Sequence, residues 1–403
     1  MFLLKKTGCR IFQMVFRILM PIFPYREPQI VRSCLELGPV FQKEKLHSVL
    51  IVTDKGIVKS GLTAPLENVL KEQGISYVIY DNTHPNPTVH DVEEALQLYK
   101  ENQCEGLIAL GGGSSMDCAK VLGARVAYPK KSVRQMKGIL RVLRRIPTLI
   151  AIPTTAGTGS ETTLAAVVTD HEKHYKYALM SFALIPHYAV LDAVLTYSLP
   201  PHLTAATGMD ALTHAVEAYI GRSTNKETRR LALEATQLVF ANVKTAYADG
   251  GNYKAREQML HAAYKAGVAF SKSYVGYIHA VAHSLGGRYG THHGLSNAVI
   301  LPYVLEEYGN CIEKKLYNLG VAAGVCTERD TFSEGAAKFI GAIRQLNADM
   351  GIPEHLPGIR KEDIPELAKY AEKEANPLYP VPKLMDAEDL EKFYEQIADW
   401  SRK

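Results

Sequence analysis

The chain has 403 residues, more than one ordinary core accommodates, so two domains are expected. Apolar residues make up 47% and charged residues 22%, the profile of a globular protein, and the net charge of +4 is too mild for a nucleic-acid binder. The six cysteines (Cys9, Cys34, Cys104, Cys118, Cys311, Cys326) are scattered and form no C-x-x-C, which argues against a disulfide framework or a cysteine zinc site and for a reduced, cytoplasmic setting.

The leading stretch, MFLLKKTGCRIFQMVFRILMPIF, mixes apolar residues with Lys5, Lys6, Arg10 and Arg17. No uncharged run in it approaches the ~20 residues that span a bilayer. A signal peptide is not favoured, because no uninterrupted apolar region precedes a small-residue cleavage site. Residues 1–30 therefore read as an extension packed on its own chain or on a second subunit. A helix lying on a membrane surface is the sharper and less favoured alternative.

Residues 47–54, HSVLIVTD, read as a buried strand ending in Asp54. Helical periodicity over 62–73 is followed by a second strand, ISYVIYD, at 75–81. A Pro/Asn loop then leads to an amphipathic helix for which Thr88 is the N-cap. Residues 106–127, GLIALGGGSSMDCAKVLGARVA, read as strand, glycine turn and helix. The basic run 130–145 has seven Lys or Arg in sixteen residues and no interleaved aromatic. It reads as a solvated helix face rather than a nucleic-acid patch. TLIAIPTTAGTGSETT at 148–163 is another strand breaking into a small-residue turn, and HYAVLD at 187–192 is the last strand. This alternation predicts a parallel sheet with helices on both faces over 31–197. From 198 to 403 helical periodicity dominates, so an all-α second domain is expected.

The two small-residue turns have a use. Gly111, Gly112 and Gly113 let a diphosphate approach the backbone, and the following helix N-terminus favours an anion. Ser114 and Ser115 add hydroxyl donors. The second turn, with Thr154, Thr155, Gly157, Thr158, Gly159 and Ser160, can clamp the same nucleotide at a switch point of the sheet. The carboxylate of Asp54 suits an adenine-ribose hydroxyl and repels an added phosphate, which favours NAD over NADP.

A second constellation is rich in histidine. Tyr277 to Gly294, YIHAVAHSLGGRYGTHHG, holds His279, His283, His292 and His293, four of the fourteen histidines. No Lys, Asp or Glu occurs from Val275 to Leu305, so burial is expected. Asp210 and His214, four apart on a predicted helix, share a face. Alone, with Glu217 continuing the stripe, they read as a solvated helix face. Together with three of the four histidines, Asp210 makes a nitrogen–oxygen site for Fe(II), Zn or Mn. Spacing does not choose the metal or the three histidines. HAVAH has Ala280 where an H-E-x-x-H metalloprotease carries its glutamate, which weakens a hydrolase reading.

GGGSSMDCAK, PTTAGTGSE, TGMDALTHAVEAY and HAVAHSLGGRYGTHHG, with NPT at 86–88 and ANP at 375–377, resemble the iron-dependent (group III) alcohol dehydrogenases. The resemblance runs from about residue 35 to the end. It implies a Rossmann-like α/β N-terminal domain, an all-helical metal-binding C-terminal domain, and a dimer or larger homo-oligomer. It implies an NAD-dependent oxidoreductase that interconverts small alcohols or diols with aldehydes, with Fe(II) as the metal. Carried onto matching positions, the metal ligands are Asp210, His214, His279 and His293. The nucleotide contacts are Asp54, Asn86, Gly112, Gly113, Ser114, Thr154, Thr155, Thr158 and Lys176. His283 is then the non-ligating histidine, assigned to the proton relay. Glycerol dehydrogenases and dehydroquinate synthases share the architecture, but the DALTHA and HAVAH motifs favour the alcohol dehydrogenase branch. A membrane-associated metal-binding scaffold leaves the two nucleotide turns unexplained.

Overall fold

A computed structural model describes residues 2–19, 24–170 and 175–401. The chain forms two compact units, which divide between Leu199 and Pro200. The first spans 24–199; the second joins 200–401 with the leading helix. Residues 24–30, assigned on sequence to the extension, lie in the first unit.

The helices and strands, in chain order, are α1 (Phe2–Leu19), β1 (Gln29–Val31), α2 (Gly38–Glu44), β2 (Ser48–Val52), α3 (Lys55–Lys59), α4 (Ala64–Glu72), β3 (Ser76–Tyr80), α5 (Val89–Glu101), β4 (Gly106–Gly111), α6 (Gly113–Ala127), β5 (Gly138–Ile139), β6 (Thr148–Pro153), β7 (Ala165–Asp170), β8 (Tyr175–Met180) and β9 (Tyr188–Val190). The helical unit continues with α7 (Pro201–Ile220), α8 (Lys226–Ala248), α9 (Tyr253–Ser273), α10 (Tyr277–Tyr289), α11 (His293–Tyr308), α12 (Glu313–Ala322), α13 (Phe332–Asp349), α14 (Ile364–Ala375) and α15 (Ala387–Ile397).

Six strands form one parallel sheet in the order β1-β9-β6-β4-β2-β3. β4 and β6 are buried along their whole length. Their apolar runs suit strands covered on both faces. Alternate residues serve opposite cores. Leu50, Val52, Leu107, Ala109, Leu149 and Ala151 pack with Val92 and Leu96 of α5 and Met116 and Leu122 of α6. Val49, Ile51, Ile108, Leu110, Ile150 and Ile152 pack with Phe41 of α2 and Leu66 and Leu70 of α4.

The chain runs from β2 outward to β3, then returns across β2 to β4 and continues inward to β6. The strand order therefore reverses between the carboxyl ends of β2 and β4, where Asp54 follows β2 and Gly111 ends β4. α5, which connects β3 to β4, starts at a reciprocal cap between Thr88 and Asp91.

The basic run departs from the expected helix. It contains a 3₁₀ turn over Val133–Met136 and the two-residue β5. Gly138 (φ 97°) and Leu140 (φ 54°) take left-handed conformations that a helix cannot contain, and Val133, Met136 and Val142 point inward. All seven cationic side chains of the run are exposed, as its charge requires.

Candidate functional site

In the α/β unit the loop from β4 into α6 is a hub. Gly111 has φ 152°, and a Cβ there would lie 2.5 Å from Ser115 Oγ. Gly112 is the N-cap residue of α6, and Gly113 opens that helix. A Cβ on Gly112 would meet the Thr155 side chain at 3.6 Å, and one on Gly113 the Thr158 methyl at 3.2 Å. The Thr154 amide donates to Gly111 O at 3.0 Å. The Asn86 amide donates to Ser114 Oγ at 3.3 Å, and Lys176 Nζ donates to Asn86 Oδ1 at 2.7 Å. Asp54 caps α3 through Oδ1, while its Oδ2 would lie 3.8 Å from a Gly111 Cβ. All nine residues expected at the nucleotide thus gather around one glycine turn. That turn opens the N-terminus of α6, the arrangement that suits a diphosphate.

The helical unit holds the second constellation. α7 starts with Pro201 in its first turn, and every residue from Thr204 to Ile220 is buried. The solvated face expected of Asp210, His214 and Glu217 taken alone is therefore absent: all three point into the unit, each less than 5% exposed. His279 comes from α10, and His293 is the first residue of α11. One ligand atom from each of Asp210, His214, His279 and His293 lies within 4.8 Å of the others. Asp210 Oδ1 is 3.9 Å from His279 Nε2 and 3.5 Å from His293 Nε2. His214 stacks on Phe270 of α9 (centroids 4.2 Å apart, planes 13°), which fixes its ring.

Two glycines allow this convergence. A Cβ on Gly294 would fall 2.4 Å from Ala206 O, so the first turn of α11 can press on α7 only without a side chain there. A Cβ on Gly276 would fall 2.7 Å from Glu217 Oε1. Glu217, read on sequence as part of a polar stripe, is the organiser. Its Oε2 accepts from His279 Nδ1 (2.6 Å) and the Gly276 amide (2.8 Å), and its Oε1 accepts from the Ile278 amide (2.9 Å). Burial pushes its carboxyl up to about 8, against the pull of these hydrogen bonds. With Nδ1 donating, His279 turns Nε2 toward Asp210, and that buried nitrogen has no hydrogen-bond partner among the described residues. Burial, then the neighbouring imidazoles, hold His279 well below the usual histidine range, in the neutral form a metal ligand needs.

Asp210 behaves oppositely. Burial alone would raise its carboxyl, but His214, His293 and the Asn297 amide outweigh it and keep Asp210 low. Asn297 Nδ2 bridges Asp210 Oδ1 (2.7 Å) and His293 Nε2 (3.1 Å). A buried carboxylate, three imidazoles and an unsatisfied ring nitrogen fit a divalent cation. His292 lies outside the group: it is the N-cap residue of α11, accepting from the Leu295 amide at 3.4 Å. His283 also stands apart, half-exposed and stacked on His293 (5.1 Å, 19°), with Nδ1 2.6 Å from Glu374 Oε1. Tyr379 donates to the same Glu374 oxygen at 2.7 Å.

Sequence reading missed Glu217, Asn297 and Glu374 as supports. Glu217 had a usable signal, lying seven residues after Asp210 and three after His214 on the same helical face. Asn297, four after His293, had a similar one. Glu374 reaches His283 from a helix 91 residues away and had none.

Known proteins match both units. A model of the iron-containing alcohol dehydrogenases matches residues 30–193, and one of the C-terminal part of that family matches 204–398. The 1,3-propanediol dehydrogenase of Klebsiella pneumoniae is 38% identical over 331 residues, 81% of this chain and 85% of its own. A crystal structure of 1,3-propanediol oxidoreductase superposes with a TM-score of 0.89 at 35% identity, covering 93% of this chain and 99% of that one. Sulfoacetaldehyde reductase from Bifidobacterium kashiwanohense, solved in complex with NAD+, gives 0.83 at 27% identity, covering 94% and 99%. The chain belongs to the iron-containing alcohol dehydrogenase family. Its chemistry is accordingly that of an alcohol or diol oxidoreductase.

Replacing Glu217 with Ala should weaken metal retention by about 10- to 100-fold, the usual effect of removing a partner that orients a ligating histidine. Metal content after dialysis against a graded chelator series, with circular dichroism as the folding control, measures this.

Proposed function

We propose that the chain is an NAD(H)-dependent, iron-dependent enzyme that interconverts short diols or primary alcohols with their aldehydes. It would work in the cytoplasm as a homodimer or larger homo-oligomer. The observation that carries the reading is the Asp210–His214–His279–His293 cluster, buried except for the half-exposed His293, with a His279 nitrogen that has no hydrogen-bond partner among the described residues. The relatives' names supply the substrate class, and the six free cysteines fit a reduced compartment.

Asp210, His214, His279 and His293 would hold Fe(II), with Zn or Mn able to replace it. When bound, the cation supplies Lewis acidity that makes a hydroxyl easier to deprotonate, and the nicotinamide supplies the hydride acceptor. The rest of the work falls to this chain's own side chains. Gly112, Gly113 and Ser114 offer backbone and hydroxyl donors to the diphosphate, with Thr154, Thr155 and Thr158 closing the opposite wall. Asn86 and Lys176 form a polar, cationic rim. Asp54 would accept from a ribose hydroxyl and disfavour an added phosphate there.

His283 is the proton carrier in this reading. Its Nδ1 hydrogen bond to Glu374 sets the tautomer and leaves Nε2 to take a proton, while its exposure gives that proton a way to water. Glu374 is kept low mainly by His283: burial would raise the carboxyl, but the imidazole and Tyr379 outweigh it.

Anaerobically purified protein should contain iron and reduce NAD+ with 1,3-propanediol, and Asp210→Ala should lose both the metal and the activity. An Asp210→Ala protein with stoichiometric iron and substantial turnover would overturn the assignment. His283→Ala should keep the metal and lower kcat by about 100-fold with little change in KM, the scale of general acid–base catalysis. A drop in metal content instead would make His283 a support of the ligands.

A further inference from the structure

The leading helix α1 is docked the wrong way round for an ordinary packing helix. A surface helix normally buries its apolar stripe and shows its polar face to water. In α1 two polar side chains, Arg10 and Gln13, face the protein. Gln13 is 5% exposed, and its amide donates to Tyr379 O (2.7 Å) and Pro377 O (3.3 Å). The Arg10 guanidinium donates to Val381 O (2.7 Å) and Pro382 O (2.9 Å). The opposite face carries Ile11, Met14, Val15 and Ile18, spaced i, i+3, i+4 and i+7 and exposed by 53%, 57%, 47% and 65%. An apolar stripe held outward by polar anchors needs a partner.

Charge indicates which partner. Residues 1–26 contain five basic residues and no acidic one. Arg17 of α1 is exposed, and a groove of ≈ 580 Å³ between α1 and α14 is lined by three cations, Lys6, Lys369 and Lys373, against one acid, Glu372, together with Phe12 and Leu384. A second copy of the chain would bring two such cationic rims together. An anionic lipid surface neutralises the rim and covers the stripe in one event. The family model begins at residue 30, so α1 is additional to the part shared with the dehydrogenases.

We propose that α1 is an in-plane anchor that seats the helical unit on an anionic bilayer surface. It does not cross: none of the described helices is long and apolar enough to span a membrane. Ile11, Met14, Val15 and Ile18 enter the acyl boundary, and the lysines of the groove meet the headgroups.

Co-sedimentation of the full chain with vesicles tests this. The protein should pellet with phosphatidylcholine vesicles containing phosphatidylglycerol and stay in solution with phosphatidylcholine alone. The double variant Ile11→Glu/Ile18→Glu should lose binding at least tenfold with alcohol dehydrogenase activity unchanged. Lys369→Glu/Lys373→Glu should weaken it and flatten its salt dependence. A full chain that ignores anionic vesicles, or an Ile11→Glu/Ile18→Glu protein that still pellets, overturns the proposal. So does a fall in molar mass for that variant by light scattering without vesicles, which would make the stripe a contact between copies. Loss of enzymatic activity is a separate readout and leaves the proposal untouched.

Discussion

One buried carboxylate sets the geometry of the helical half. Glu217 is donated by α7 and caps a different helix: it receives the amides of Gly276 and Ile278 at the start of α10, where Gly276 itself offers no side chain. A helix N-terminus has amides without intrahelical partners and favours negative charge, so the interaction serves both elements. The same carboxylate holds His279 by Nδ1. Burying a carboxylate costs several kcal/mol unless its hydrogen bonds are made, and here three donors meet it. α10 is thereby fixed in rotation and height against α7, which places His279 beside Asp210.

The four ligand candidates then need only close backbone approach. Gly294 lets α11 press on α7 so that His293 reaches Asp210, and Phe270 braces His214 from α9. The cluster joins groups of opposed electrostatic character. Burial disfavours charge on both: it combines with the neighbouring imidazoles to hold His279 neutral, whereas at Asp210 the imidazoles and the Asn297 amide overcome it and keep the carboxylate ionised. The α/β unit follows a different logic. Its turn presents backbone rather than side chains, and two of its glycines sit where a Cβ would strike Ser115 or crowd Thr158.

Much of this was legible in the sequence because the signals are local. The Asp210/His214 and His279/His283 spacings each define one helical face, and β4 and β6 are unbroken apolar runs flanked by small residues. Thr88 announced its helix through the cap it forms with Asp91. Four features were misread or hidden. Glu217 looked solvated because a helix buried on all sides has no outward face, and α7's burial depends on α8, α9 and α11 packing around it. The role of Glu374 depends on a loop-and-helix arrangement far along the chain. The basic run at 130–145 failed as a helix because Leu140 takes a left-handed conformation that its residue type does not advertise. The orientation of α1 was likewise hidden, since amphipathicity gives a helix two faces without saying which one docks.

The central claim is that Asp210, His214, His279 and His293 share one cation. Iron K-edge X-ray absorption of the anaerobic holoprotein tests it most directly. The account predicts a low-coordinate site with outer-shell scattering from three imidazoles and one oxygen from a carboxylate, and loss of one imidazole contribution in His279→Ala. A spectrum without imidazole scattering, or one unchanged by that substitution, would contradict it.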